Sequence, residues 1–146
     1  MQRLTSIARV SFDSRSGELS RCAWSGSGQG GVTVSRDPDG LRFHEQGRFR
    51  LDQGGAEVAF HNVYRWSLHN DHIGLYHERR GKEHAVWLFN LIAAPGGDAL
   101  VAHQAHLCGD DQYTAKLTLR DAGIDLDWQI SGPRKDERLY YRYRQA

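Results

Sequence analysis

Two stretches of this sequence bring together side chains that can do chemistry. In His106-Leu107-Cys108-Gly109-Asp110-Asp111-Gln112-Tyr113 an imidazole, a thiol, carboxylates and a phenol fall within one short run. On a strand His106 and Cys108 share a face, so imidazole and thiol can converge on one ligand or metal. His106 with Asp111, or Cys108 activated by His106, also has the residue types of general acid–base or nucleophilic catalysis. The competing reading is a half-buried strand entering a turn, with Asp110 and Asp111 as turn residues and Tyr113 packing. A structural zinc site needs four ligands, and no second close pair of soft ligands accompanies this one, so no metal is assigned. The other histidines do not complete a site. His103 and His106 in HQAH stand three apart, on opposite faces of a strand, and none is singled out as a haem ligand.

The second stretch is Gly132-Pro133-Arg134-Lys135-Asp136, followed by interleaved aromatic and basic residues. Pro133 has no amide hydrogen and interrupts a strand ladder, which places Arg134 and Lys135 at a turn. A guanidinium offers a planar fork to carboxylate or phosphate. The anion it grips is either a ligand or an internal partner, Asp110 or Asp111, and the desolvation cost of half-buried charge favours the internal pair. Beyond the turn, Leu139, Tyr141 and Tyr143 alternate with Arg138, Tyr140, Arg142 and Arg144, as a strand with an apolar inner face and a basic outer face requires.

Strands must position these segments, and alternation at period two recurs along the chain. GVTVSRD runs from Gly31 into the turn Asp37-Pro38-Asp39-Gly40, and LRFHEQGRFRL puts Leu41, Phe43 and Glu45 on one face. AEVAFHNVYRWSLH sets Val58, Phe60, Asn62, Tyr64, Trp66 and Leu68 against His61, Val63, Arg65 and Ser67. Asn70-Asp71 is a hairpin turn. HAVWLFNLIAAP, apolar on both faces and rich in β-formers, is expected as a covered strand. ALVAHQAHLC, QYTAKLTLRD, GIDLDWQISG and ERLYYRYRQ complete the series. Gly47 marks an expected β-bulge, and the glycine-rich SGSGQGG an altered connection. About nine or ten short strands at hairpin spacing, without a useful amphipathic helix, imply an all-β fold. An antiparallel up-and-down β-barrel over residues 1–146 is preferred, since closure removes exposed edges.

Composition narrows the function classes. Nineteen basic and 18 acidic residues give a net charge of +1 over 146 residues, so nothing global draws the chain to nucleic acid or to an anionic membrane. Arginines interleaved with tyrosines can stack bases, but one strand's worth is a weak footprint. No stretch approaches the roughly 20 apolar residues of a spanning helix, and MQRLTSIARVSF lacks the apolar core of a signal peptide. Cys22 and Cys108 lie far apart without CxxC spacing, which fits reduced thiols and a cytoplasmic protein. P-loop, dinucleotide fingerprint, GxSxG elbow and HExxH are absent.

The runs GLRFHEQG, HLCGDDQY and WQISGPRKD, in that order, resemble an uncharacterised family of small bacterial proteins, domain of unknown function 6314, whose members end in a similar GPRKD segment. The resemblance supplies no activity. It implies one compact β domain, similar to the calycin or lipocalin-like barrels that hold a small molecule inside. The amino-terminal end departs from that pattern, with no tryptophan near Leu4 to Ser6.

The reading that follows is a barrel binding a small anionic or amphipathic molecule between aromatic walls that include Trp128 and Tyr141. His106, Cys108, Asp111, Tyr113, Arg134, Lys135 and Arg65 are the expected polar contacts. No cofactor is identified, and the oligomeric state, a homodimer included, is left open. An enzyme of the same shape using His106 with Asp111 or Cys108, and an interaction module with a filled barrel, are the alternatives.

Overall fold

Successive hairpins wrap around until the last strand pairs with the first. The computed structural model describes residues 2–16, 25–52, 55–78, 81–97, 99–102, 106–108, 111–133 and 136–146. After a single helical turn, α1 (Gln2–Thr5), come β1 (Ile7–Ser16), β2 (Gly26–Asp37), β3 (Gly40–Leu51), β4 (Glu57–Leu68), β5 (Ile73–His77) and β6 (Val86–Ala93). β7 (Ala99–Ala102), β8 (His106–Cys108), β9 (Asp111–Arg120), β10 (Gly123–Ser131) and β11 (Asp136–Gln145) follow, and one 3-10 turn (Lys82–His84) precedes β6. Every pairing is antiparallel. β7 and β8 pair with different halves of β9, so the 11 segments occupy ten positions around a closed barrel. Closure comes from β1 against β11, with Phe12 opposite Tyr141 and Val10 opposite Tyr143.

The alternation seen in the sequence sorts side chains as a barrel demands. Val10 and Phe12, Leu41, Phe43 and Phe49, Tyr64 and Trp66, and Tyr141 and Tyr143 are buried inside. Val58, at the start of the same row of β4, is exposed. α1 covers one end, where Leu4 joins the core and the turn packs against β10. The connections after β2, β4, β6 and β9 lie at that covered end. Those after β1, β3, β5, β8 and β10 leave from the opposite end, called here the mouth.

Two expectations about glycine change. SGSGQGG is no connection: Gly26 to Gly31 form the first half of β2, paired on both sides. Gly47 is no bulge either, since β3 keeps unbroken register with both neighbours, and the irregularities fall at Ile7/Arg9 and Leu75/Tyr76. What these glycines permit is close approach. A Cβ on Gly28 would stand 2.4 Å from the Phe12 ring, and one on Gly30 would stand 2.2 Å from the Gln46 carbonyl oxygen. Removing side chains from the inner row of β2 lets that strand lie close over Phe12. Gly30→Ala, which meets backbone, is therefore expected to cost about 2 kcal/mol or more in urea unfolding. A loss below about 0.5 kcal/mol would show that the strand can move aside.

Candidate functional site

The inward-facing side chains are not equally covered. Near the covered end Phe43, Glu45, Trp66, Leu75, Leu91, Ile124 and Tyr143 are between 0% and 1% exposed. Toward the mouth Phe12, Phe49, Tyr64, Tyr113, Trp128 and Ile130 retain 6–8%, and Phe60, Asn62, His77, Ala115 and Leu139 are only half-buried. Val34, Leu68 and Ile73 at the covered end are half-buried too, and what marks the mouth side is its cluster of rings, called here the aromatic cup. Phe12 lies between Phe49, Phe60 and Tyr141 at ring-centroid distances of 5.7, 5.1 and 4.9 Å. Trp128 lies between Phe89, Tyr113 and Tyr141 at 6.0, 6.2 and 6.4 Å.

Polar groups cross this apolar interior at one level. Glu45 on β3 is fully enclosed, and its Oε2 accepts the Tyr143 hydroxyl at 2.5 Å. Its Oε1 has no hydrogen-bond partner among the described residues, nor has the Trp66 indole N–H. Burial raises the Glu45 carboxyl to about 8, outweighing the opposing pull of Tyr143 and of Asn62. Asn62 stands directly across the β3–β4 ladder, although no hydrogen bond of good geometry to Glu45 forms. Glu45 therefore carries a proton near neutrality, a neutral acid among rings. Above it the Tyr64 and Tyr141 hydroxyls are 3.1 Å apart. His77 Nε2 donates to Asn62 Oδ1 at 3.2 Å and its ring stacks on Tyr64 at 4.8 Å. Burial pushes both Tyr141 and Tyr143 well above the ordinary phenol range, so both remain protonated.

The residues singled out in the sequence divide three ways. Tyr113, Trp128 and Tyr141 line the interior. His106, Cys108 and Asp111 lie on strands at the mouth, Cys108 opposite Asp111 and His106 opposite Tyr113, while their side chains fall outside the described residues. Arg134 and Lys135, with Asp110, also fall outside them. The flanking register still orders the two segments: Leu107 pairs with Gln112, Gln112 with Ser131, and Ser131 with Asp136. The β8–β9 and β10–β11 connections accordingly leave from the same end of the barrel.

Arg65 is placed differently from a pocket residue. It lies on the outer face, where its Nε donates to Glu78 at 2.8 Å and its guanidinium covers the Tyr76 ring at 4.0 Å. Beside it Arg42 is 3% exposed and donates to Glu78, Asp37 and Asp39 at 2.7–2.8 Å. These hydrogen bonds from Arg42 hold the Asp39 carboxyl down to about 2. The cluster ties the β2–β3 turn to the end of β5, which is a scaffolding task. The alternation of β4 already set Arg65 against Tyr64 and Trp66; a charge flanked by inward aromatics belongs outside.

Glu45 and Tyr143 are the interior pair that the sequence did not join. A carboxylate in the inward row Leu41, Phe43, Glu45 was a visible signal. Its partner, 98 residues away, was not.

The chain matches the model of a family of unknown function over residues 11–145. It belongs to the DUF6314 family. No curated protein and no solved structure matches it. In this DUF6314 barrel no described group of three or more His, Cys, Asp or Glu could hold a metal ion. No described helix is long and apolar enough to cross a membrane.

Proposed function

We propose that this DUF6314 protein is a cytoplasmic receptacle for one amphipathic small molecule, bound in the aromatic cup. The observation that supports it is the cluster of incompletely covered inward rings: Phe12, Phe49, Tyr64, Tyr113 and Trp128 keep 6–8% exposure, whereas Phe43, Trp66 and Tyr143 keep 0–1%. The apolar body of the molecule packs on Phe12, Phe49, Phe60, Tyr113 and Trp128, and its single polar group meets Asn62 and His77 or emerges at the mouth. The β10–β11 and β8–β9 connections leave from that end, and the sequence of the first carries a guanidinium and an ammonium group, residue types that suit an anionic head group. Mixed walls of this kind, mainly apolar with few polar groups, characterise small-molecule sites.

Glu45 does not contact the molecule directly. It is 0% exposed and lies beneath the rings.

Ala115, half-buried and inward between Tyr113 and Leu117, is the position at which the cup can be filled. Titration with 1-anilinonaphthalene-8-sulfonate, an amphipathic anion that fluoresces in apolar surroundings, is expected to saturate with the native protein. Ala115→Trp should weaken that binding by about tenfold or more, equivalent to about 1.4 kcal/mol, with the fold retained by circular dichroism. Unsaturable fluorescence in the native protein, or unchanged affinity in a folded Ala115→Trp variant, would remove the cup as the binding site.

A further inference from the structure

The outer face of the closure carries a second site, independent of the cup. Around the seam where β11 meets β1, and on across β2 to β3, an open trough encloses about 940 Å³. Behind it the wall is thin: Gly26 and Gly28 put no side chains between β2 and the Phe49 and Phe12 rings, which lie where a Cβ would stand.

The register places the outward side chains in rows. Arg142, Ser11, Gln29 and Arg48 form one row across the four strands, each directly opposite the next. Arg144, Arg9 and Gly31 form the row on one side of it, and Asp13, Ser27 and Arg50 the row on the other. Arginines thus stand on both banks, from β11 and from β3, three strand spacings or roughly 14 Å apart. Between them the floor is small and polar.

Charge in the trough is not self-cancelling. Five arginines line it against two carboxylates, Asp13 and Glu57, a surplus of three positive charges. The whole chain sums to +1, so everything outside the trough sums to −2. Arg142 is matched by Asp13 at 2.9 Å, but Arg48 and Arg50 share the single Glu57 at 3.1 and 3.2 Å. Arg144 reaches Asp125, which also serves Arg120. Arg9 donates to the Gln145 carbonyl and has no carboxylate partner among the described residues. Arg48 and Arg50 are 60% and 67% exposed, available to an incoming anion without breaking a buried contact.

We infer that this trough binds a small multivalent phosphate-bearing anion, with guanidinium forks from the two banks on its phosphate oxygens and the Ser11, Ser27 and Gln29 side chains beneath. Guanidinium groups on opposite banks suit a ligand with charge at more than one point, since each fork can take two oxygens. A single carboxylate would leave one bank unused.

The test uses the full chain at low ionic strength, with inorganic triphosphate and ATP as probes and isothermal titration as the readout. Both are expected to bind with one-to-one stoichiometry, and the affinity should fall as salt is raised, because the groups are exposed. The double substitution R48Q/R50Q, and separately R9Q, should each weaken triphosphate by about tenfold. R138Q, an exposed arginine of β11 that lies outside the trough and pairs with Asp127, should leave it unchanged. Failure of both probes to bind, or an equal loss in R138Q, would overturn the site. Binding of single-stranded RNA without binding of triphosphate would likewise overturn it, assigning the charge to a macromolecular surface. Displacement of anilinonaphthalenesulfonate from Ala115 plays no part in this readout, so the trough and the cup stand or fall separately.

Discussion

Replacing Glu45 by glutamine is expected to abolish a fall in stability that the native protein shows between pH 4.5 and about 8. The buried carboxyl keeps its proton until about pH 8, whereas in the unfolded chain it ionises near 4.5. Below the lower value both states hold the proton and stability is at its full level. As pH rises between the two, the unfolded state has released its proton and the folded state has not. Unfolding therefore becomes easier by about 1.4 kcal/mol per pH unit. Above the upper value both are ionised and the loss is complete, on the order of 5 kcal/mol. Glu45→Gln keeps the shape and an acceptor for Tyr143 but cannot ionise. Urea unfolding at intervals from pH 5 to pH 9 should show native and variant curves diverging, the native curve descending and the variant lacking that component. Parallel curves would mean that Glu45 is ionised in the folded barrel, and that an occupant or ordered water reaches Oε1.

Loss of the Arg42 guanidinium should unfold the protein more readily than loss of any exposed arginine. Arg42 and Glu78 are both 3% exposed, and Nε to Oε1 is 2.7 Å. Arg42→Ala leaves Glu78 enclosed with Arg65 as its remaining partner and frees the β2–β3 turn, for an expected cost of about 3–5 kcal/mol. Arg48→Gln, which breaks only an exposed pair, should stay within about 0.5 kcal/mol of native. The double variant Arg42→Met with Glu78→Leu should recover much of the loss, because an apolar pair of similar volume removes the stranded charge. Equal stabilities for Arg42→Ala and Arg48→Gln would show that water reaches the cluster and that its burial contributes little.

The two residues at issue were differently legible. Alternation sets Glu45 on one face with Leu41 and Phe43; its enclosure, its proton and its tie to Tyr143 follow only from the tertiary structure. Arg42 alternates with Leu41 and Phe43 and so reads as a solvated outer residue. It is buried because the β2–β3 turn and Glu78 close over it, and no period-two pattern registers that. Likewise Arg65 had the right types of neighbour for a pocket, yet its row of β4 faces outward onto Glu78 and Tyr76.

What the sequence by itself determined is local: which segments are strands, which side chains alternate inward, and that turns such as Asp37-Pro38-Asp39-Gly40 double the chain back. Steric alternation acts between neighbours along one strand, so these features survive reading without a structure. Tertiary structure alone decided what depends on partners far apart in the chain. Pairing Phe12 with Tyr141 and Val10 with Tyr143 closes the barrel, brings Arg9 beside Arg144, and lines up Arg142, Ser11, Gln29 and Arg48 in one row. The same register gathers Phe12, Phe49, Phe60 and Tyr141 into one cluster of rings. A hydrogen-bonded ladder fixes position across strands, and that information resides in no single segment.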